Sequence, residues 1–291
     1  MQRVSFQSLL AQHKPLICPS AHDALSARLI ELAGFKAIAV GGLSMLASQQ
    51  AIPDIGLAAL ADMVAGARCV MRGTALPFGM DADDGFGDVK HVIRTVQAFA
   101  GIGAGQLVLE DQLRAGKKPG DMQAIGVASI ADMQTKLRAA LHARGAGDLQ
   151  IVARTDAFPT EGLDGALRRA EAYLAVGADA IFISGLPTVE MLGRAGDALR
   201  GSIQVTVVTE RLINRWPTPA ELYSMGFAQV AYPNLLISRV TDAMQSGLAG
   251  LTDLAAGRVK PQDMSTYAEI AAELQNMLGL RDWLALEDRF S

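Results

Sequence analysis

A short pattern that occurs four times along the chain limits the folds that are open to it. In each copy an apolar-periodic run ends at a glycine, and aliphatic or aromatic residues follow at the fourth and sixth positions after that glycine. A glycine just beyond a helix adopts the left-handed conformation that closes the last turn without a Cβ penalty. A brief apolar run bounded by turn residues is typical of a buried strand. The pattern therefore predicts a helix followed by a strand at Leu32–Val40, Ile102–Leu109, Val176–Ile183 and Met225–Tyr232.

The segments between these copies continue the same alternation of helix and strand. Four further strands are predicted where short apolar runs are bounded by turn residues: Leu16–Cys18, Leu76–Met80, Leu149–Ala153 and Ile203–Val208. With the four strands of the repeated pattern, this makes eight. Helices are predicted where apolar residues recur with helical spacing: Ala58–Met71, Val89–Phe99, Ile130–Ala143, Leu163–Val176 and Pro219–Ser224.

Eight strands that alternate with helices over about 250 residues suit a closed (β/α)8 barrel, the TIM-barrel class of α/β fold. A doubly wound open sheet is the alternative, although it usually reaches this length only with extra elements or a second domain. We predict a barrel over residues 1–250 and a C-terminal helical extension over residues 251–291. The extension contains helical material at Ser265–Leu280 and an apolar cluster at Trp283, Leu284, Leu286 and Phe290. Such a cluster must be buried, and a second subunit is one place to bury it.

The composition excludes several classes of protein. Half of the 291 residues are hydrophobic and 19% are charged, which provides for a packed core and argues against disorder. A formal net charge of −4 argues against a nucleic-acid partner, which would require a basic stripe. Cys18 and Cys69 cannot form a disulfide framework. No stretch of about 20 apolar residues and no apolar signal core is present, so we expect no membrane partner and a cytoplasmic location.

Polar and charged residues follow almost every predicted strand at its carboxyl end. In α/β barrels the chemistry takes place at this end, because the loops that follow the strands meet there. The opposite ends of the strands lack such residues, and this asymmetry indicates an active site. The segments concerned are Gly41–Ser44 with the downstream Asp54, then Asp81–Asp88, Glu110–Gln112, Arg154–Asp156, Ser184–Gly185 and Thr209–Arg211.

Four carboxylates, those of Asp54, Asp81, Asp83 and Glu110, are expected to converge in one small cleft. Like charges so close together need a counter-charge, and a hard divalent cation with oxygen ligands supplies one. The alternate spacing of Asp81 and Asp83 at a strand end places both side chains on one side of the pleat. We therefore predict a Mg²⁺ site at Asp81, Asp83 and Glu110, with Mn²⁺ as the alternative ion. An acidic loop that caps a helix is the other interpretation, and we prefer it for Asp88.

Arg154 follows a buried apolar run and must either project into the cleft or form an ion pair. Its guanidinium can bind a substrate carboxylate through two parallel hydrogen bonds. A structural salt bridge to Asp156 or Asp111 is the alternative. We predict that Arg154 binds substrate.

The loop Leu113–Asp121 follows the acidic end of the fourth strand. Gly116 and Gly120 flank Lys117 and Lys118, so the loop has the composition of a mobile lid that presents positive charge to an anionic substrate. An ordinary solvated loop is the competing interpretation.

At these residues the sequence resembles the phosphoenolpyruvate mutase/isocitrate lyase superfamily. The matching motifs lie in family order across roughly Phe6 to Gly247, and each is weak separately but specific together. They are Gly42–Met45 with the downstream Pro53-Asp54, then Asp81–Gly87, Leu109–Gln112, Ile151–Ala157 and Gly177–Ile181.

The resemblance implies a (β/α)8 barrel that is commonly tetrameric and exchanges its last helices between neighbouring subunits. It implies that Asp81 binds Mg²⁺ directly, while Asp83, Glu110 and Asp54 act on the ion through water molecules. It also implies a reaction that makes or breaks a C–C or P–C bond beside a 2-oxo or 2-hydroxy acid. Charge then collects on an enolate oxygen, which a divalent cation stabilises.

The resemblance further implies that backbone groups of Gly42 and Leu43, together with Arg154, hold the carboxylate end of the substrate. Ser44 and Thr209, which lie at predicted strand ends, complete the expected substrate-binding set. The expected catalytic set consists of Asp54, Glu110, Arg154, Lys117 and Lys118.

Four departures from the family pattern bear on the reaction. Isocitrate and methylisocitrate lyases have a lid motif Lys-Lys/Arg-Cys-Gly-His, whereas this chain has Lys117-Lys-Pro-Gly-Asp121 without cysteine or histidine. Those lyases also have a glutamate at the end of strand six, where this chain has Ser184. The mutase lid carries an asparagine that this loop lacks, and Gly41 stands where mutases have a serine.

We therefore predict a Mg²⁺-dependent lyase or phosphonomutase that acts on a small anionic 2-oxo or 2-hydroxy acid. It would be a phosphonomutase, a phosphonopyruvate hydrolase or an oxaloacetate decarboxylase-like enzyme. The alternatives are a methylisocitrate-type lyase with an altered lid and a catalytically reduced barrel that binds a small dicarboxylate. A Schiff-base aldolase is disfavoured because no lysine lies at a predicted strand end. The expected assembly is a homotetramer or a dimer of swapped dimers.

Overall fold

A computed structural model of the protein describes residues 4–114, 126–209, 212, 215–259 and 265–290. Its strands are all parallel and pair with their neighbours in a single sheet in the order β1-β8-β7-β6-β5-β4-β3-β2. Their bounds are β1 (Leu16–Pro19), β2 (Ile38–Val40), β3 (Phe78–Asp81), β4 (Gln106–Glu110), β5 (Gln150–Thr155), β6 (Ala180–Ile183), β7 (Gln204–Val207) and β8 (Phe227–Tyr232). The first and last strands of this order meet through a parallel bridge between Ser20 and Ala39. The predicted (β/α)8 barrel is confirmed.

Helices alternate with these strands. Their bounds are α1 (Phe6–Gln12), α2 (Ala24–Leu32), α3 (Gly42–Gln50), α4 (Leu60–Val70), α5 (Val89–Gly101), α6 (Ile130–Arg144), α7 (Phe158–Ala175), α8 (Val189–Ala198), α9 (Pro219–Ser224), α10 (Leu235–Ala255), α11 (Ser265–Met277) and α12 (Leu280–Phe290). Several begin at a capping side chain. Asp88 accepts hydrogen bonds from the N–H groups of Lys90 and His91, which confirms its predicted role as the cap of α5.

The glycine of each repeated pattern has the conformation that the sequence predicts. Gly34, Gly103, Gly177 and Gly226 have φ angles of 88°, 81°, 101° and 107°. An L-residue with a side chain rarely adopts such angles, so glycine at these positions ends the helix and turns the chain into the next strand.

Two helices differ from the sequence prediction. α3 begins directly after β2, where the sequence predicts a loop. The helix is missed because its cap residue Gly41 has no polar side chain, so the sequence carries no recognisable helix start there. α7 begins at Phe158 rather than at Leu163, with Pro159 in its first turn, and Gly162 at a φ of 68° interrupts it. The helix predicted from apolar periodicity, Leu163–Val176, corresponds to the regular part of α7 that follows Gly162.

The main hydrophobic core lies between the strands and the surrounding helices. Residues of the strands that face outward, such as Met80 and Leu107, pack against helix residues that include Val96, Phe99 and Leu137. A smaller group inside the barrel joins Phe6 and Leu9 of α1 to the strands. The Phe6 ring contacts Gly105, where a Cβ atom would come within 2.8 Å of it, so α1 lies at the amino ends of the strands.

The chain divides into two compact units, residues 1–237 and residues 238–291. The first contains the barrel, and in the second α11 and α12 contact one another. Among the described helices none is both long enough and apolar enough to cross a membrane.

Helix α8 approaches the segment before β8 so closely that only glycine fits at the contact. A Cβ atom on Gly196 would lie 1.8 Å from the Met225 carbonyl oxygen, whereas one on Gly193 of the same helix would have no atom within 4 Å. We predict that Gly196→Ala lowers the free energy of unfolding by about 3 kcal/mol, since the backbone must move to relieve the overlap. Urea denaturation measures the effect.

Gly193→Ala is the matched control. It should raise the free energy of unfolding by roughly 0.5–1 kcal/mol, because alanine has less conformational freedom to lose when a helix forms. Equal effects of the two substitutions would contradict the close contact.

Candidate active site

Three carboxylates from two neighbouring strands lie together at the carboxyl end of the barrel. Asp81 ends β3, Glu110 ends β4, and Asp83 lies in the loop that follows β3. One ligand oxygen from each lies within 4.8 Å of the other two. Asp83 and Glu110 are buried, at 7% and 3% exposure, and Asp81 is half-buried. Each residue expected at the metal site is therefore found in this one cluster.

A tight turn after β3 brings Asp83 to the cluster. The prediction that Asp81 and Asp83 project from one side of a strand's pleat is therefore wrong. The strand ends at Asp81, and Asp83 has a left-handed φ of 46°. The Asp83 N–H donates to Asp81 Oδ1 at 3.2 Å, and the Asp83 carbonyl accepts from the Glu110 N–H at 2.9 Å. Aspartate tolerates this conformation better than most residues because its short side chain bonds to nearby backbone.

Arg154, at the end of β5, lies against the cluster. Its Nη1 is 3.0 Å from Glu110 Oε2 and 3.8 Å from Asp81 Oδ2, and its Nη2 donates to Asp156 Oδ1 at 2.8 Å. The guanidinium also lies over the Phe182 ring, with its carbon 5.4 Å from the ring centre. Burial disfavours the charged guanidinium, but the carboxylates of Asp156, Glu110 and Asp81 outweigh it and hold the pKa of Arg154 above its ordinary value.

Arg154 therefore forms the salt bridge to Asp156 that the alternative interpretation expects. It also lines the cavity, as the predicted binding of substrate requires. The two interpretations are compatible, because a guanidinium has five N–H donors.

Asp54 lies beside the first turn of α3, the helix that follows β2, and β2 pairs directly with the strand that ends at Asp81. A Cβ atom on Gly42 would come within 2.9 Å of Asp54 Oδ2, so the carboxylate can approach this backbone only because residue 42 is glycine. The cap of α3 makes no side-chain hydrogen bond. The first N–H groups of α3 thus form the positive end of a helix dipole at the edge of the cavity.

A second arginine compensates charge on the outer side of the acidic cluster. Arg114 Nη2 lies 3.3 Å from Asp83 Oδ2, and Arg114 Nη1 donates to the carbonyls of Gly56 and Ala58 at 3.2 and 2.7 Å. These bonds tie the loop that carries Asp54 to the end of β3. Sequence reasoning misses this role, because Arg114 belongs to a segment whose composition indicates a lid or a solvated loop.

A buried network around Asp111 is also missed at the level of the sequence. One Asp111 oxygen accepts from the Asp156 N–H at 2.9 Å, and the other accepts from the hydroxyls of Thr155 and Tyr173 at 2.8 and 2.7 Å. Arg169 Nη1 lies 3.2 Å from the second oxygen. Burial raises the pKa of Asp111, although these bonds act in the other direction. The network joins the ends of β4 and β5 and so fixes the strand that carries Arg154.

A cavity of about 290 Å³ lies at the carboxyl end of the barrel. All five predicted substrate-binding residues line it: Gly42, Leu43, Ser44, Arg154 and Thr209. Asp54, Asp81 and Ser184 also line it, while Asp83 and Glu110 lie beside it. Lys117 and Lys118 lie outside the described residues.

The donor set of the acidic cluster fits a hard divalent cation. All of its donors are carboxylate oxygens, which Mg²⁺ prefers over nitrogen or sulfur ligands. Opposite ligands of one Mg²⁺ ion are about 4.2 Å apart, which is close to the spacing of at most 4.8 Å within this cluster. Asp81, Asp83 and Glu110 are therefore the residues that would hold such an ion.

Comparison with known proteins agrees with this arrangement. The family model described as phosphoenolpyruvate phosphomutase matches residues 6–252. The chain is 36% identical over 242 residues to 2,3-dimethylmalate lyase of Eubacterium barkeri, and the match covers 82% of each chain.

Two solved structures are similar to this chain in sequence and in fold. The structure of oxaloacetate acetylhydrolase with the inhibitor 3,3-difluorooxalacetate has a TM-score of 0.85 and 25% identity, and the match covers 98% of this chain and 95% of that one. The complex of phosphonopyruvate hydrolase with oxalate and Mg²⁺ has a TM-score of 0.79 and 26% identity, and the match covers 98% and 97%.

The Asp111 network predicts that the Tyr173 hydroxyl stabilises the fold at the site. Tyr173→Phe removes a donor to a buried carboxylate and an acceptor for Arg169. We expect the free energy of unfolding to fall by about 1–3 kcal/mol, because the Asp111 oxygen then loses a partner in a place that water does not reach. Urea denaturation of the two proteins measures this difference.

Tyr223→Phe, on an exposed tyrosine of α9, is the matched control and should change stability by less than about 0.5 kcal/mol. If Tyr173→Phe were as neutral as this control, the network would have no stabilising role.

Proposed function

Because the chain belongs to the phosphoenolpyruvate mutase/isocitrate lyase superfamily, we propose that it is a Mg²⁺-dependent enzyme acting on a small 2-oxo or 2-hydroxy acid. It cleaves or rearranges a C–C or P–C bond next to the oxo or hydroxyl carbon, and the substrate fragment that keeps the electron pair is a pyruvate-type enolate. The observation that carries this proposal is the arrangement of Asp81, Asp83, Glu110 and Arg154 at one edge of a cavity.

The residues divide between binding of the substrate and stabilisation of charge. Arg154 and the first N–H groups of α3 are positive groups on two sides of the cavity, and both suit a carboxylate. Asp81, Asp83 and Glu110 would hold Mg²⁺, which would supply a Lewis acid for the oxygen on which negative charge develops. Ser44 and Thr209 line the same space with hydroxyl groups that donate to or accept from the substrate.

Glu110 and Asp54 are placed for different tasks. Glu110 is paired with Arg154, whose Nη1 lies 3.0 Å from its Oε2, and this ion pair fixes the position of the carboxylate beside the cavity. Asp54 lies beside the α3 backbone, so it orients polar groups of a ligand at the first turn of that helix.

Ser184 favours a reaction other than that of the methylisocitrate lyases. It is buried at the end of β6 and lines the cavity where those enzymes have a glutamate. A hydroxyl does not titrate near neutral pH and cannot replace a carboxylic acid in proton transfer. Decarboxylation and P–C hydrolysis need no proton donor at this place, and we propose reactions of these kinds.

A barrel that binds a dicarboxylate without turning it over is the second candidate, and the same Ser184 is the observation in its favour. Oxaloacetate or phosphonopyruvate should then raise the melting temperature while mass spectrometry detects no product.

Asp81→Asn tests the metal site with little change in shape. We expect Mg²⁺ or Mn²⁺ binding, measured by calorimetry, to weaken by roughly 100-fold, because a neutral amide replaces a charged ligand. Release of pyruvate from oxaloacetate or phosphonopyruvate should fall in parallel and should be abolished by chelator in the parent protein.

Asp164→Asn, an exposed carboxylate of α7, is the control and should leave metal binding unchanged. Turnover that survives both Asp81→Asn and chelator would contradict the proposed role of the ion.

Arg154→Lys tests recognition of the substrate carboxylate. Lysine keeps the charge but loses the planar pair of donors, so we expect KM to rise about tenfold while the fold is retained. Arg200→Lys, at an exposed arginine paired with Asp197, is the control. An unchanged KM would mean that Arg154 serves only its ion pairs with Asp156 and Glu110.

A further inference from the structure

Ser20 is a buried serine at the cavity that is not among the site residues predicted from the sequence. It follows β1 directly, lines the cavity and has only 1% of its surface exposed. Its N–H donates to the carbonyl of Tyr232 on β8 at 3.3 Å, and it forms the bridge to Ala39 that closes the barrel. The backbone of Ser20 is therefore held by a strand on each side, and the barrel itself fixes where its side chain lies.

The Ser20 hydroxyl has hydrogen-bonding capacity that the protein does not use. Its Oγ lies 3.4 Å from Ser44 Oγ, and it has no other hydrogen-bond partner in the part of the chain that the structure describes. Two hydroxyls usually bond at about 2.7–2.8 Å, so this contact is weak. Since a hydroxyl can donate once and accept twice, Ser20 can still form a good hydrogen bond to a ligand in the cavity.

Ser26, a second buried serine nearby in the chain, differs from Ser20 in this respect. Its Oγ accepts from the N–H groups of His22 and Asp23 at 3.0 Å each and donates to the Asp23 carbonyl at 3.0 Å. The donor and both acceptor positions of this hydroxyl are thus occupied, and Ser26 is not one of the residues that line the cavity. Ser26 stabilises the start of α2, whereas the Ser20 hydroxyl makes no comparable set of bonds.

The hydroxyls of Ser20 and Ser44 lie beside the start of α3. Ser44 is the third residue of this helix, and a Cβ atom on its cap residue Gly41 would lie 4.0 Å from Ser20 Oγ. Both serines line the cavity. An ionised carboxylate has two oxygens that together accept about four hydrogen bonds, so two donors 3.4 Å apart can bond to one carboxylate at the same time.

We propose that Ser20 is a substrate-binding residue and that it forms, with Ser44, a pair of hydroxyl donors to a substrate carboxylate at the start of α3. That the ligand is an acid rests on the proposed function, whereas the pair of hydroxyls rests on the cavity lining and the distances above. A hydrogen bond to a carboxylate is stronger than one between two neutral groups, so a bound acid replaces the weak contact between the two serines.

The test is the affinity for succinate, measured by calorimetry with and without Mg²⁺, together with the steady-state kinetics of oxaloacetate. Ser20→Ala should weaken succinate binding and raise KM about tenfold with little change in kcat, because a hydrogen bond to a charged substrate group is lost before the reaction begins. The melting temperature without ligand should stay close to that of the parent protein, since the contact that is removed is weak. Unchanged affinity and KM overturn the proposal.

Two further variants separate the hydroxyl from the shape of the side chain. Ser20→Thr and Ser20→Val add branched side chains of the same size that differ only in a hydroxyl. The threonine variant should bind succinate roughly five to ten times more tightly than the valine variant, because only threonine can donate to the carboxylate. Equal affinities of these two variants would mean that the hydroxyl is not used, and would overturn the proposal.

Ser26→Ala is the matched control, with the opposite pattern of effects. It removes a buried hydroxyl that is fully bonded within the protein, so it should lower the melting temperature and leave the succinate affinity unchanged. If Ser26→Ala weakened succinate binding as much as Ser20→Ala, the loss would come from general loosening of this end of the barrel, and the proposal would be wrong.

The outcomes separate this inference from the proposed function. Turnover of oxaloacetate or phosphonopyruvate that keeps the parent KM in Ser20→Ala refutes the role of Ser20 and leaves the enzyme. Succinate binding that weakens in Ser20→Ala, in a protein that shows neither turnover nor metal dependence, refutes the proposed reaction and leaves the pair of hydroxyls.

Discussion

The mouth of this barrel depends on one arrangement of charge, a guanidinium surrounded by carboxylates from three neighbouring strands. Asp81, Glu110 and Asp156 would repel one another in so little space, and Arg154 lies within 3.8 Å of an oxygen of each. Buried ion pairs of this kind cost desolvation energy, and removal of one partner leaves a charge that is difficult to accommodate. These ion pairs therefore add little to the free energy of unfolding. They do fix the positions of the four side chains relative to one another, which a binding site requires.

Hydrogen bonds of Asp111 and Arg114, which lie behind the cavity, hold this arrangement in place. Asp111 receives the N–H of Asp156 and the hydroxyls of Thr155 and Tyr173, so the end of β5 cannot move independently of β4. On the other side Arg114 ties the Asp54 loop to Asp83. Residues that do not line the cavity thus decide how accurately Arg154 and the carboxylates are positioned.

Glutamine side chains from three strands meet inside the barrel, where Gln106 bonds to Gln150 and Gln229. The glutamine amides satisfy one another across strands that are distant in sequence, since Gln106 and Gln229 belong to β4 and β8. Gly79 is required there, because a Cβ atom would come within 2.7 Å of Gln106 Oε1.

The sequence by itself determined the architecture and the membership of the acidic cluster. Glycines at helix ends and short apolar runs are local signals, because backbone conformation and burial of strands act over a few residues. Strand ends in a parallel barrel meet at one face, so the order of strands and polar residues along the chain is enough to assign Asp81, Glu110 and Arg154 to one site. Only the tertiary structure decided how they meet. The bond from the Glu110 N–H to the Asp83 carbonyl, the bonds of Arg114, the Asp111 network and the pairing of Gln106 with Gln229 join residues far apart in the chain, and no local pattern specifies such contacts.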